Sequence, residues 1–430
     1  MKFVLDFLFK NAFMKASYIV VGGSLIVNVL NYIFTLMMGR MLGPIGFGEM
    51  SSIFSLLLII GVPSATLSLF VAKCISDHEA KEEHHLVVSF LKSLFRFVTV
   101  TSLISFLICL LLVPFFASFL GIHKIPLLIF ILLVPLGFFS SLTSGVMHGL
   151  QKFFNISAFS VISTTLKLFL GVLLVYIGYY VSGAVLAVVL ASFLAYLYSW
   201  NIIKKELKDS KYITEIKTKI SIRDYFPLLK LAFFANLIIA LLMNIDIVLA
   251  KHFFEPIMAG HYSALSTIGK IIIYVTTSFS TVMFPMISAS HSKGDDKHKR
   301  ILTLSLSVIS ILSIIAVVCF FTFPSFIVKV LLGSAYVDIA PYLGYFGLIA
   351  LFYSISTTLI NYFVAVHDRL FFYISAFLLA LQIIFLIFYH KNIAQFATIL
   401  LIFSVLITLS LLVNLFLKSK KNSKETVIIQ

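Results

Sequence analysis

The sequence predicts an all-α polytopic membrane protein whose twelve transmembrane helices form two parallel six-helix bundles. Three observations predict it. Of 430 residues, 61% are hydrophobic and only 11% charged. Many stretches run about twenty residues without a charge, the length that crosses the ~30 Å hydrocarbon core as a helix. The longest polar stretch lies mid-chain and divides the apolar runs six and six. Those runs are continuous rather than alternating, which excludes a transmembrane β-barrel.

The chain opens on "MKFVLDFLFKNAFMKAS", where Asp6 and Lys10 interrupt the apolar residues and no cleavage pattern follows. This reads as an interfacial amphipathic helix over residues 1–15 rather than a signal peptide. The expected spans are 16–38, 48–72, 92–120, 126–147, 154–176, 180–203, 226–250, 259–290, 301–323, 339–365, 370–389 and 393–416. They group as an N-terminal bundle (16–203), a linker (204–225), a C-terminal bundle (226–416) and a basic tail (417–430).

Charge orients these spans. The formal net charge is +15. Twenty-five of the 32 lysines and arginines fall on the side holding both termini, and five on the other. That bias makes both termini cytoplasmic, and it assigns the basic charge to topology instead of nucleic acid. The three cysteines, Cys74, Cys109 and Cys319, lie far apart and read as apolar fillers, with no disulfide framework.

The two halves resemble each other. "GPIGFGEMS" (43–51) matches "EPIMAGHYS" (255–263), setting Pro44 over Pro256, Gly48 over Gly260 and Ser51 over Ser263. "QKFFNISAF" (151–159) matches "RLFFYISAF" (369–377). Offsets of 212 and 218 suit one duplication with a small insertion. Six spans per half make the repeats parallel, an arrangement that places binding near the midplane.

Two lysines lie inside spans. Lys270 is about twelve residues into its span, hence ~18 Å deep. A lysine there must face protein or water. Ser263, Ser266, Thr267, Lys270, Tyr274, Thr277 and Thr281 follow at helical spacing and share one stripe. The fifth span repeats the pattern with Ser160, Ser163, Thr164, Lys167 and Gly171. Asn28 and Asn31 on the first span, and Asn361 on the tenth, add polar side chains. These stripes line a water-filled cavity, or else they pack helices and bond their own carbonyls. Candidate substrate-binding residues are therefore Lys167, Lys270, Ser163, Thr164, Thr267, Tyr274, Thr277, Asn28, Asn31 and Asn361.

Asp246 is the acid deepest in a span. Two readings stand for it: an ion- or proton-coupling site, or a partner for Lys251 or Lys270. Arg40 and Lys251, near the outer ends of spans one and seven, ring an outer mouth or sit at headgroup depth. The histidines show no metal-ligand spacing, and no phosphate-binding loop, nucleophile elbow or fused soluble domain is visible. A metal, a cofactor and an enzymatic activity are not expected, and transport would draw on an ion or substrate gradient.

"RMLGPIGFGEMS" (40–51), within the longer opening 18–76, and "HGLQKFFNISAF" (148–159) resemble polysaccharide-export flippases. The chain is similar to the Wzx-type O-antigen flippases, in one superfamily with MATE antiporters and lipid II flippases. The resemblance implies a V of two six-helix bundles in the inner membrane. It further implies movement of an undecaprenyl-pyrophosphate-linked oligosaccharide from the cytoplasmic to the outer leaflet. The partners implied are the anionic lipid-linked oligosaccharide, the bilayer, H+ or Na+ as coupling ion, and polysaccharide polymerase components. The alternative is a MATE-like cation-coupled drug antiporter, for which acids rather than lysines are expected in the cavity.

Overall fold

Residues that bury no water-seeking groups over twenty positions have one way to satisfy their backbone inside a bilayer, which is to close every hydrogen bond within the segment. The computed structural model follows that rule. It describes residues 12–428 apart from 82, 207–225, 293–296 and 367. Most of the expected N-terminal interfacial helix and linker lie outside the described residues, as does the end of the tail.

Fourteen α-helices occur among the described residues. They are α1 (Ala12–Ile60), α2 (Val62–Ala80), α3 (His84–Leu120), α4 (Lys124–Phe130), α5 (Leu133–Gly149), α6 (Phe153–Leu174) and α7 (Tyr180–Glu206), then α8 (Phe226–Phe253), α9 (Pro256–Ser292), α10 (Lys297–Thr322), α11 (Pro324–Leu332), α12 (Leu343–Ala365), α13 (Leu370–Phe388) and α14 (Ile393–Ile428). A π-helical turn (Val175–Tyr179) joins α6 to α7, and a 3-10 segment (Ser334–Tyr342) precedes α12. Nine helical stretches among the described residues are long and apolar enough to cross a membrane. One of them, Phe153–Lys205 at 53 residues, covers the fifth and sixth expected spans, and Gly22–Ile60 at 39 covers most of the first and half of the second.

The helices form two compact units, one of residues Met1–Leu42 and Ile60–Phe233, the other of Gly43–Ile59 and Phe234–Gln430. The chain leaves the first for the second at Gly43, where α1 breaks (φ 66°, ψ 179°). Pro44 follows directly and has no N–H to donate, so the preceding turn cannot close there.

In the first unit the core lies where α2, α3 and α5 meet. Phe70, Val71, Cys74 and Ile75 of α2 pack with Val87, Phe90 and Leu94 of α3 and with Leu142, Val146 and Met147 of α5. In the second unit α12 is buried almost all round, the pattern of a helix at a bundle's centre. Its Phe346 joins Tyr262, Phe254 and Phe396 in an aromatic cluster, with Tyr262 5.3 Å from Phe396 and 5.4 Å from Phe346.

Hydroxyls join these helices. Thr276 Oγ1 donates to Ser354 Oγ at 3.0 Å, and Ser356 and Thr408 share a bond of 2.8 Å. Inside a bilayer such bonds hold helix to helix where no hydrophobic force distinguishes helix from lipid.

Candidate functional site

The two lysines expected deep within spans, Lys167 and Lys270, fall one in each unit, and their surroundings differ. In the first unit Lys167 of α6 is half-buried. Its ammonium donates to Asn31 Oδ1 of α1 and stands 4.7 Å from the centre of the Phe34 ring. Asn31 and Phe34 are three residues apart on one helix, so they present an amide acceptor and a π-face side by side. A ring face attracts a cation through its quadrupole, and more strongly where water is scarce. Phe34 can lie flat there because Gly171 leaves the room: a Cβ on Gly171 would sit 2.5 Å from a ring carbon. Thr35 Oγ1 caps the Asn31 carbonyl at 2.9 Å, which steadies that turn.

Of the other first-unit candidates, Asn28 lies one turn before Asn31 and Ser163 one turn before Lys167, both half-buried. Thr164 is buried and its hydroxyl bonds Ser160 O at 2.8 Å. It is thus spent on its own helix. Arg40 is exposed.

In the second unit Asp246 of α8 is only 5% exposed. Its Oδ2 accepts from the Tyr262 hydroxyl at 2.8 Å and from Ser266 Oγ at 3.2 Å, both on α9. Its Oδ1 has no hydrogen-bond partner. Asp246, Ser266, Lys270 and Tyr353 line one cavity of about 20 Å³, room for about one water. The Tyr353 hydroxyl is held in turn by Gln382 of α13, through contacts of 3.1 and 3.3 Å. Lys251 is also 5% exposed, and the acid whose charge acts on it is Glu49.

The expected α9 stripe divides along its length. Ser263 and Ser266 are buried, Thr267 and Lys270 half-buried, and Tyr274 is 45% exposed. Thr277 is half-buried and bonds Tyr274 O at 3.0 Å. The side chain of Thr281 lies outside the described residues. Asn361 is half-buried on α12. Among the described residues no three His, Cys, Asp or Glu side chains gather as a metal site.

Sequence reasoning missed Phe34, Tyr262, Tyr353, Gln382 and Glu49. An aromatic within an apolar run has no polar spacing to mark it. Two carried a signal in the sequence: Gln382, an uncharged polar residue inside the apolar run of α13, and Glu49, an acid at the start of the second expected span.

A model of the polysaccharide biosynthesis protein family matches residues 37–341, well over half the chain. The chain belongs to that family. It is therefore a multi-pass membrane protein of polysaccharide biosynthesis, with a helical MATE-like fold. No curated protein matches it. Among solved structures it is similar to an inward-facing multidrug resistance MATE family transporter of the MOP superfamily, at 13% identity and TM-score 0.73, over 95% of this chain and 98% of that one. The outward-facing form of a multidrug resistance MATE family transporter matches at 14% identity and TM-score 0.67, over 95% and 96%. The eukaryotic MATE transporter AtDTX14 matches at 14% and 0.67, over 96% and 98%. These likenesses establish the fold of this polysaccharide biosynthesis protein and leave its cargo to the chemistry of its own residues.

Proposed function

We propose that this protein flips an undecaprenyl-pyrophosphate-linked oligosaccharide across the cytoplasmic membrane, from the inner to the outer leaflet, with both termini in the cytoplasm. The observation that carries the reading is Lys167. Its ammonium is held within a membrane span by an amide oxygen and an aromatic face, and among the described residues no carboxylate contacts it. A cation maintained without a counter-ion at that depth is costly unless an anion visits it. Pyrophosphate supplies that anion. Asn28 and Ser163, a turn away, supply hydrogen bonds for sugar hydroxyls, while the polyprenyl tail stays in lipid. Polymerase components receive the product.

A MATE-like cation-coupled antiporter is the second reading, favoured by Asp246 and its unpartnered oxygen. It requires a cationic cargo, for which Lys167 is repulsive.

Purified protein in proteoliposomes separates the two. With undecaprenyl pyrophosphate bearing a fluorescent sugar as probe, the wild type is expected to move the sugar to the far leaflet, and Lys167→Gln to slow this about tenfold or more, the worth of a lost charged contact. Unchanged flipping by an equally inserted Lys167→Gln protein would sink the reading. Efflux of a cationic dye that depends on Asp246 would instead establish the antiporter.

A further inference from the structure

The duplication gives no reason for Lys167 and Lys270 to share a task. Carried across the repeat by the offsets of its matched motifs, Lys167 falls at Phe385 and Lys270 at Leu58. The two lysines arose at unrelated positions, and their neighbours differ in kind. An amide and a ring attend Lys167. An acid attends Lys270, since Asp246 lines the same small cavity and its charge acts on that lysine.

Asp246 is held for this purpose. Tyr262 and Ser266 fix one carboxylate oxygen and leave Oδ1 without a protein partner. A buried carboxylate with a spare oxygen is unfavourable alone, as is a buried ammonium, and opposite charges in one cavity relieve each other. No direct ion pair joins them among the described residues. The cavity of about 20 Å³ takes about one water, which has a carboxylate, an ammonium and hydroxyls to bond.

We propose that Asp246 is the fixed counter-ion of Lys270, joined to it through one water, so that this pair offers the substrate no net charge and the anionic head group is held by Lys167 in the first unit. The inference rests on the flippase reading and adds a division of labour to it. Lys270 is a positioning residue that keeps Asp246, Tyr262 and Ser266 in register across α8 and α9. It does not touch the pyrophosphate.

The test compares Asp246→Asn, Lys270→Gln and the double variant, in proteoliposomes with the fluorescent lipid-linked sugar and in detergent by thermal unfolding. Removing one member of a buried pair strands the other, while removing both is often nearly neutral. Each single variant is expected to lower the Tm and to flip about tenfold more slowly per inserted molecule. The double variant is expected to regain most of both, and adding Lys167→Gln to it should slow flipping again, as Lys167→Gln alone does. A double variant as slow as Lys270→Gln, with Asp246→Asn near normal, overturns the proposal, because Lys270 then meets the substrate on its own account. Single variants without effect on either measurement also overturn it. If Lys167→Gln is silent in the same assay, the flippase reading fails, while the Tm comparison still decides the pairing.

Discussion

Gly48 and Gly260, equivalent positions of the internal repeat, touch each other in the second unit. A Cβ built on Gly48 would lie 2.9 Å from Gly260 Cα. A Cβ on Gly260 would lie 1.9 Å from the carbonyl oxygen of Pro44. The second half of α1 and the start of α9 thus cross backbone to backbone, and small neighbours extend the seam: Ser52 and Ala264, one turn on, are both fully buried. Membrane helices associate most closely where small residues let their backbones meet. This contact explains why Gly43–Ile59 packs with the second unit although it lies in the sequence of the first repeat.

The first prediction concerns that seam. Both glycines have helical backbones, so alanine is conformationally welcome and only space forbids it. Gly260→Ala must push the Pro44 backbone aside, an overpacking cost of about 1–3 kcal/mol. Thermal unfolding in detergent should register it as a clearly lowered Tm. Gly48→Ala meets backbone at a longer distance and should cost less. Equal Tm values for both variants and the wild type would show that the seam is loose.

The second prediction concerns the ring beneath Lys167. Phe34→Leu removes the π-face, and a cation–π contact at a partly desolvated site is worth about 0.5–2 kcal/mol. Flipping should slow by about two- to thirtyfold at that value. Gly171→Ala should act in the same direction without touching Lys167, because its methyl displaces the Phe34 ring. Asn31→Leu removes the other partner and should compound with Phe34→Leu. A Gly171→Ala protein that flips at the wild-type rate would separate the ring from the lysine's role.

These two sites show what was legible in the chain. The lysines within spans were plain, because a charge in a bilayer is conspicuous against its neighbours. Asn31 is a candidate by its residue type, and the structure brings it to Lys167. Phe34 was hidden among 45 phenylalanines. The α9 stripe was correct as a helical face, yet spacing says only that side chains point the same way. It does not say toward what. Ser266 points to Asp246, whereas Tyr274 is 45% exposed. Thr276, off the stripe, bonds Ser354 of the neighbouring helix. The kink at Gly43 was equally out of reach: "LGPIG" reads as a loop between two spans, but the helix resumes at once.

A third prediction separates hydroxyls that join helices from those that serve their own. Thr276 bonds Ser354 across two helices, while the Thr357 hydroxyl donates to the carbonyls of Tyr353 and Ser354 in its own helix. Both are buried, at 3% and 6% exposure, so valine fills each site alike. Thr276→Val should cost about 0.6–1.7 kcal/mol, the range of interhelical bonds in membranes. Thr357→Val should change stability by a few tenths of a kcal/mol, since the helix keeps its backbone bonds. Urea or SDS unfolding of the two variants side by side checks the difference.

The last prediction sets Gly43 against Gly260. Nothing lies within 4 Å of a Cβ built on Gly43, so space is no obstacle. Its φ of 66° with ψ of 179° is the obstacle, because that region is nearly closed to any residue with a side chain and costs about 1–3 kcal/mol to occupy. Leu42 stands just before the break, and Tyr180 Oη donates to its carbonyl at 3.0 Å. Gly43→Ala should therefore destabilise the protein by about 1–3 kcal/mol despite the open space. Tyr180→Phe should cost about 0.5–1.5 kcal/mol through the Leu42 carbonyl. Glycine's permissive backbone and the tyrosine's hydroxyl sustain the same break, so the two losses should couple. A double variant whose ΔTm equals the sum of the singles would mean that the break stands without the tyrosine.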